Sequence, residues 1–254
     1  MVEDDKISDD DSDSEDRIKN CPSCTKAKMT RTPFRRREKR ATVPLHIVWS
    51  DICGPLPTRS IGGNRYFMTF IDDATSYSWV YFLRHKSEAA ATFQKFDRET
   101  SIFFRPRSSN IVRIWRTDNA KEFLCKEIQQ FCSEHGIVHQ TSIPYNPEQM
   151  GMAERLNRTL MESSESMRFH SGHAKSFWAE AVCTANYLRN RSPTTTLDNK
   201  TPYEAFFGHR PSALKLRVFG CRCWVYIPAQ KRKKTRTKSQ TSHLHWIFWT
   251  TKGL

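Results

Sequence analysis

Three acidic residues of this 254-residue chain, Asp51, Asp118 and Glu154, stand where a carboxylate could do chemistry. Asp51 lies near the end of a short apolar run rich in β-branched and aromatic residues, 45–52. Asp118 follows a second such run, 111–115, within Thr117-Asp118-Asn119. Glu154 falls in the first turn of a helical pattern, behind a loop carrying two prolines and a glycine. A carboxylate at the mouth of an apolar strand is costly unless water, a cation or a metal faces it. Three that converge make a hard, oxygen-only site suited to Mg2+ or Mn2+. Two such ions about 4 Å apart can activate a water or a 3′-hydroxyl and stabilise the leaving oxygen of an in-line phosphoryl transfer. Singly, each acid has a plainer account: strand-end Asp residues cap turns, and a first-turn Glu complements the helix dipole.

The elements that would carry these acids alternate between strand and helix. The runs 45–52, 65–71 and 78–83 read as strands, the first closed by Gly54-Pro55 and the second entered from Gly62-Gly63-Asn64. Their close links predict an antiparallel meander. Residues 87–100 read as a helix, with Ala90, Phe93 and Phe96 at helical spacing. After the strand 111–115 comes a helix at 126–135, with Ile128, Phe131 and Cys132 on one face and Gly136 as its stop. A strand at 137–143 leads through the Pro/Gly loop to helices at about 152–170 and 174–189. Beyond residue 193 the pattern loosens until 216–227, which reads as a hairpin.

Charge points to the partner. The chain holds 41 Lys and Arg against 27 Asp and Glu, a net of +14 with a pI near 9.6. Residues 1–16 carry nine acids and one lysine, so the remainder stands at +22. A basic body of that size fits a polyanion, usually DNA or RNA, although a merely soluble basic surface would look the same. Two basic runs flank the acids: eight Lys and Arg in 26–40, and six in 231–238. Such arms hold phosphate without sequence preference, or are simply solvated tails. Lys231-Arg232-Lys233-Lys234 also fits a nuclear-import signal, which predicts a nuclear protein that could equally reside in a cytoplasmic particle. No run nears the roughly 18 apolar residues of a membrane helix, and the acidic start is not expected to be a signal peptide. Eight scattered cysteines suit a reducing compartment.

The spacing sharpens the reading of the acids. Thirty-five residues separate Asp118 from Glu154, which is the D,D-35-E arrangement of retroviral-type integrases. The neighbouring words agree: HIVWSDICGPLPTRSIGGNRYFMTFIDDATSYSWVYF, RTDNAKEF, HGIVHQTSIPYNPEQMGMAERLNRTLMES, KSFWAEAV, NRSPT, NKTPYEAFFG and LRVFGC. Over most of residues 21–227 the chain resembles the integrase region of copia-type LTR retrotransposon Pol polyproteins. The resemblance implies a ribonuclease-H-like α/β core, a mixed five-stranded sheet flanked by helices. It implies Asp51, Asp118 and Glu154 as ligands of Mg2+ or Mn2+, DNA ends and target DNA as partners, and a homo-oligomer when active. The implied reaction is 3′-end trimming followed by joining of that end to a target strand. Asp72 and Asp73 are then read as turn formers and Glu122 as a helix-start charge. Glu148, with only 29 residues between it and Asp118, is not the third ligand. Arg155 and Arg158 could steer phosphates, although Arg158 could equally pair with Glu154 or Glu162. Trp178 reads as core.

The chain also departs from the family. Asp118 is followed by Asn119-Ala120-Lys121-Glu122-Phe123 where the family has Asn-Gly-Gly-Glu-Phe, which would strain the turn if it needs φ > 0. Glu148 and Met150 replace a Gln and an Asn of the loop before the third acid. Cys21-Pro22-Ser23-Cys24 resembles half of the family's His/His/Cys/Cys zinc domain, but residues 1–20 contain no His. Two ligands do not make a four-coordinate zinc, so no zinc is expected, and Cys221 and Cys223 read as strand residues. The stretch LHWIFWTTKGL does not continue the family pattern. The expected organisation is a disordered acidic tail at 1–20, a zinc-domain remnant and basic linker at 21–41, the catalytic core at 42–192, and a basic extension at 193–254. The rival is a catalytically inactive, co-opted nucleic-acid-binding fragment of such an element. A nuclease acting on RNA in hybrids is disfavoured by the 35-residue spacing.

Overall fold

The computed structural model describes residues 40–104, 112–142, 151–214, 216–226 and 239–243. Five strands, β1 (Ile47–Cys53), β2 (Tyr66–Asp72), β3 (Ser78–Leu83), β4 (Ile114–Thr117) and β5 (Val138–Thr141), form one mixed sheet in the order β3-β2-β1-β4-β5. The first three make the expected antiparallel meander, and β4 and β5 run parallel to β1. Helices α1 (Ala89–Phe104), α2 (Lys126–His135), α3 (Gly151–Ser171) and α4 (Trp178–Arg191) cover the sheet.

Strand alternation explains the layers. Side chains at successive strand positions point to opposite faces, and here both faces are apolar. Val48, Met68, Phe70 and Trp115 meet Phe93 and Phe96 of α1 and Ile128 and Cys132 of α2. Phe96 stacks on Phe70 with centroids 4.1 Å apart, and Phe93 stacks on Trp115 at 3.7 Å. On the other face Ile47, Trp49, Phe67 and Ile71 meet Ala153, Leu156 and Leu160 of α3 and Trp178 and Val182 of α4. Trp178 is core, as expected: its ring lies against Phe67 and Phe82, and Nε1 donates to the Thr58 carbonyl at 2.9 Å.

Asp72 and Asp73 do form the β2–β3 turn, and they do more. Both are fully buried. Asp72 accepts the Thr75 and Leu45 amides, and Asp73 accepts the Ala41 amide and the Trp49 indole N–H. The entry of the chain into β1 is thereby fastened to the hairpin. Gly136, at φ 63, ends α2 where the sequence places its stop.

Four details differ from the sequence reading. The strand before Asp118 starts at Ile114, where pairing to β1 begins, and Val112 and Arg113 lie outside it. Short 3-10 turns, Lys86–Glu88 and Lys175–Phe177, stand where α1 and α4 were expected to begin. A further helix, α5 (Pro202–Phe207), lies in the loose region; Thr201 caps it by accepting the Glu204 amide, Pro202 occupies its first turn, and Gly208 ends it at φ 79. Finally, the described residues of 216–227 are not a hairpin in themselves. Their one strand, β6 (Arg222–Tyr226), pairs antiparallel with β7 (Ser239–His243), so the partner lies beyond the basic run 231–238. Cys223 is a β6 residue and Cys221 precedes it, both unbridged.

Candidate active site at the end of the central strands

Because β1 and β4 are adjacent and parallel, the last residues of β1 and the segment after β4 reach the same end of the sheet. Asp51, fifth residue of β1, lies across from Thr69 of β2 and shares its face with Ile47 and Trp49. That face is the one α3 covers. The buried side of α3 carries Ala153, Leu156, Asn157 and Leu160, which brings Asn157 over Asp51. Asn157 donates Nδ2 to Asp51 Oδ2 at 2.9 Å, while its own Oδ1 accepts the Thr69 hydroxyl at 2.8 Å. The other Asp51 oxygen accepts the Ile52 amide at 2.7 Å.

Asp118 is half-buried just past β4. Its carboxylate accepts the Ala120 amide at 3.2 Å, an Asx-type turn that needs no glycine: Ala120 has φ −65. The missing glycines therefore impose no backbone strain. Asn119 donates to the Ser142 carbonyl at 2.9 Å, and Thr117 is tied to His139 of β5 at 2.8 Å. Glu122, in the 3-10 turn Lys121–Phe123, pairs with Lys86 at 2.8 Å, consistent with a charge at a helical start.

Burial raises the Asp51 pKa, and the negative charge of Asp118 and then of Glu154 pushes the same way, against the hydrogen bonds from Ile52 and Asn157. Asp118 is likewise raised, by burial first, with Glu122 adding to the shift and the Ala120 amide and Lys86 opposing it. The charges of Asp118 and Glu154, far from Asp51 in sequence, thus both act on the Asp51 carboxylate. The three acids do not stand as a closed cage: among the described residues, no three His, Cys, Asp or Glu side chains are spaced to hold a metal ion. Glu154 is exposed on the first turn of α3. The donors are nevertheless of the right chemistry for Mg2+ or Mn2+: anionic oxygens, two of them destabilised as anions, a strain that a divalent cation relieves.

Arg155 and Arg158 are exposed on α3. Among the described residues Arg158 makes no ion pair with Glu154 or Glu162, which leaves its guanidinium to solvent. Lys231, Arg232, Lys233, Lys234, the Cys21/Cys24 pair, the acidic tail, the linker up to residue 39 and Glu148 lie outside the described residues. Asn157 and Thr69 were not singled out in the sequence. Their signal was there: a polar residue within the apolar stripe of a helix, and a hydroxyl within an apolar strand, are groups that need buried partners.

Residues 41–147 match the family model described as "Integrase core domain", a span that contains Asp51 and Asp118 and stops before Glu154. The chain is 40% identical over 222 residues to the retrovirus-related Pol polyprotein from transposon TNT 1-94 of Nicotiana tabacum, covering 87% of this chain and 16% of that protein. It is 34% identical over 221 residues to the corresponding polyprotein from transposon RE1 of Arabidopsis thaliana, covering 87% of this chain and 15% of that protein. The chain thus spans about one-sixth of the length of these relatives. Among solved structures, a chain of the simian T-cell lymphotropic virus intasome in complex with PP2A regulatory subunit B56 gamma superposes with a TM-score of 0.63. It is 18% identical, with 91% of this chain and 79% of that one covered, a likeness of fold.

Proposed function

Because this chain carries an integrase core domain and is homologous over most of its length to retrovirus-related Pol polyproteins of plant transposons, we propose that it is the catalytic part of a DNA integrase. The reaction is polynucleotidyl transfer, the trimming of a 3′ end and the joining of its hydroxyl to a target strand, both in-line attacks on a phosphodiester. The observation that carries this reading is the Asp51 carboxylate, fixed by Ile52 and Asn157 in the field of Asp118 and Glu154.

Asp51, Asp118 and Glu154 would hold Mg2+ or Mn2+, which supplies activation of the attacking oxygen and stabilisation of the leaving one. The residues of the chain do the rest. Asn157 fixes the rotamer of Asp51, and the Ala120 amide fixes that of Asp118. Glu154, exposed at the start of α3, would supply the third carboxylate. Arg155, next to Glu154, and Arg158, one turn along the same helix, present guanidinium groups that draw a phosphodiester toward the acids. The basic cluster containing Lys231, Arg232, Lys233 and Lys234 adds affinity that does not depend on sequence. DNA ends and target DNA are the partners, a homo-oligomer is the working form, and the nucleus is the place of action.

The test is a strand-transfer assay with purified protein, a short donor duplex and Mg2+ or Mn2+. Wild-type protein should join strands, and Asp118→Asn should abolish joining while leaving DNA affinity equal or slightly higher. Transfer that survives Asp118→Asn would overturn the assignment. A folded wild type that binds DNA but never joins it would instead identify a co-opted binding fragment.

A further inference from the structure

The edge strand β5 turns three of its four side chains to solvent and only His139 inward. The inward ring lies on Trp115, centroids 4.7 Å apart and 22° from parallel, and Trp115 is itself fully buried. An apolar ring would pack on Trp115 equally well. What a histidine adds is a polar atom: Nε2 lies 2.8 Å from the Thr117 hydroxyl, which is fully buried. That hydroxyl donates in turn to the carbonyl of Asp118 at 2.9 Å. A threonine hydroxyl has one proton. With that proton on the Asp118 carbonyl, the bond to His139 must be donated by the imidazole, so its proton sits on Nε2.

We propose that His139 is a positioning residue for Asp118, acting through a directed chain from its Nε2–H to the Thr117 hydroxyl and on to the Asp118 carbonyl. The inference rests on the reading of Asp118 as one of the catalytic acids. Asp118 lies just beyond the last paired residue of β4, where the ladder no longer constrains it. Two further bonds come from the same neighbourhood: the Ser142 amide donates to the Thr117 carbonyl at 3.0 Å, and Asn119 donates to the Ser142 carbonyl. The first holds the backbone before Asp118, and the second, made by Nδ2, holds the Asn119 side chain after it. Among the described residues, only the His139–Thr117 chain reaches the carbonyl of Asp118 itself. With that peptide fixed, the Ala120 amide stays aimed at the Asp118 carboxylate.

His139→Phe keeps the ring on Trp115 and removes the donor, whereas His139→Gln restores an N–H at the position of Nε2. The full chain is compared in three measurements: hydrogen exchange of the Ala120 amide, Mn2+ binding followed by electron paramagnetic resonance, and strand transfer. In His139→Phe, protection of the Ala120 amide and Mn2+ affinity should each fall about tenfold, the scale of one buried hydrogen bond, while the amides of β1 and β2 keep their protection. His139→Gln should recover most of both. Unchanged Ala120 protection in a folded His139→Phe protein overturns the proposal, as does a Gln variant no better than Phe. Should His139→Phe fail to fold, Thr117→Val removes the same link and is expected to lose the same protection. A wild type that neither binds Mn2+ nor joins DNA defeats the functional reading, and the Ala120 exchange then decides the hydrogen-bond chain without it.

Discussion

Asn157→Ala removes two bonds at once, one to the Asp51 carboxylate at 2.9 Å and one from the Thr69 hydroxyl at 2.8 Å, from a side chain that is 6% exposed. A hydrogen bond to a charged group contributes about 1.5–3 kcal/mol and a neutral one about 0.5–1.5. The loss is therefore about 2–4.5 kcal/mol. For a domain of this size each kcal/mol moves Tm by roughly 2–4 °C, so a central loss of about 3 lowers Tm by roughly 6–12 °C. Truncation alone does not isolate the bond to Asp51, because it also opens a small cavity and strands Thr69. A double-mutant cycle does: Asp51→Ala, Asn157→Ala and the pair, measured by urea unfolding with chelator present to exclude divalent cations. The coupling should be about 1.5–3 kcal/mol, the charge-assisted bond alone. Additivity within about 0.5 kcal/mol would refute the claim that Asn157 positions Asp51.

Three further outcomes are expected. Gly54 has φ +128, and a Cβ there would lie 2.7 Å from the Arg65 carbonyl and 2.8 Å from the Tyr66 ring, so Gly54→Ala should cost stability by about 1–3 kcal/mol in urea unfolding. Burial raises the pKa of Asp97 above 3.8, with His135 opposing; since its folded form holds the proton more tightly, the residue favours folding at low pH and loses that contribution as pH rises through its folded value. Asp97→Asn should therefore raise Tm at pH 7, a gain that disappears below about pH 3.8. Replacing Lys231, Arg232, Lys233 and Lys234 by Gln should weaken binding to all DNA sequences alike. Its salt dependence should flatten by about one unit of slope for each phosphate no longer neutralised, which a titration at several salt concentrations reads directly.

Much of the fold was legible because strands buried on both faces read as short continuous apolar runs, and helices buried on one face keep the helical period. The meander falls where the apolar runs and their turns place it, and α2 where the helical period and the Gly136 stop place it. Asp51 and Asp118 were legible as strand-end acids for the same reason. The parts not foreseen depend on partners distant in sequence. Nothing near Asn157 indicates that Thr69 and Asp51 await it, 88 and 106 positions earlier. The β6 strand looked like half of a local hairpin, since pairing beyond residue 231 leaves no trace in the period of residues 216–227. The α5 helix is a different case. Thr201, Pro202 and Gly208 are start and stop signals that were present in the sequence, and a six-residue helix is too short for periodicity to reinforce them.

The 106 positions from Asp51 to Asn157 also set a clock. Ribosomes add roughly 5–20 residues each second, so on the order of 5–20 s pass between the synthesis of Asp51 and that of its partner. Once β2 has followed, β1 and β2 can pair, with Asp51 held by the Ile52 amide and no Asn157 side chain yet available to its other oxygen. The acids are assembled only when α3 has been made and has docked across the sheet. A nascent chain therefore holds no completed centre, and any DNA or divalent cation that meets it on the ribosome meets a basic, hydrophobic intermediate rather than a working one.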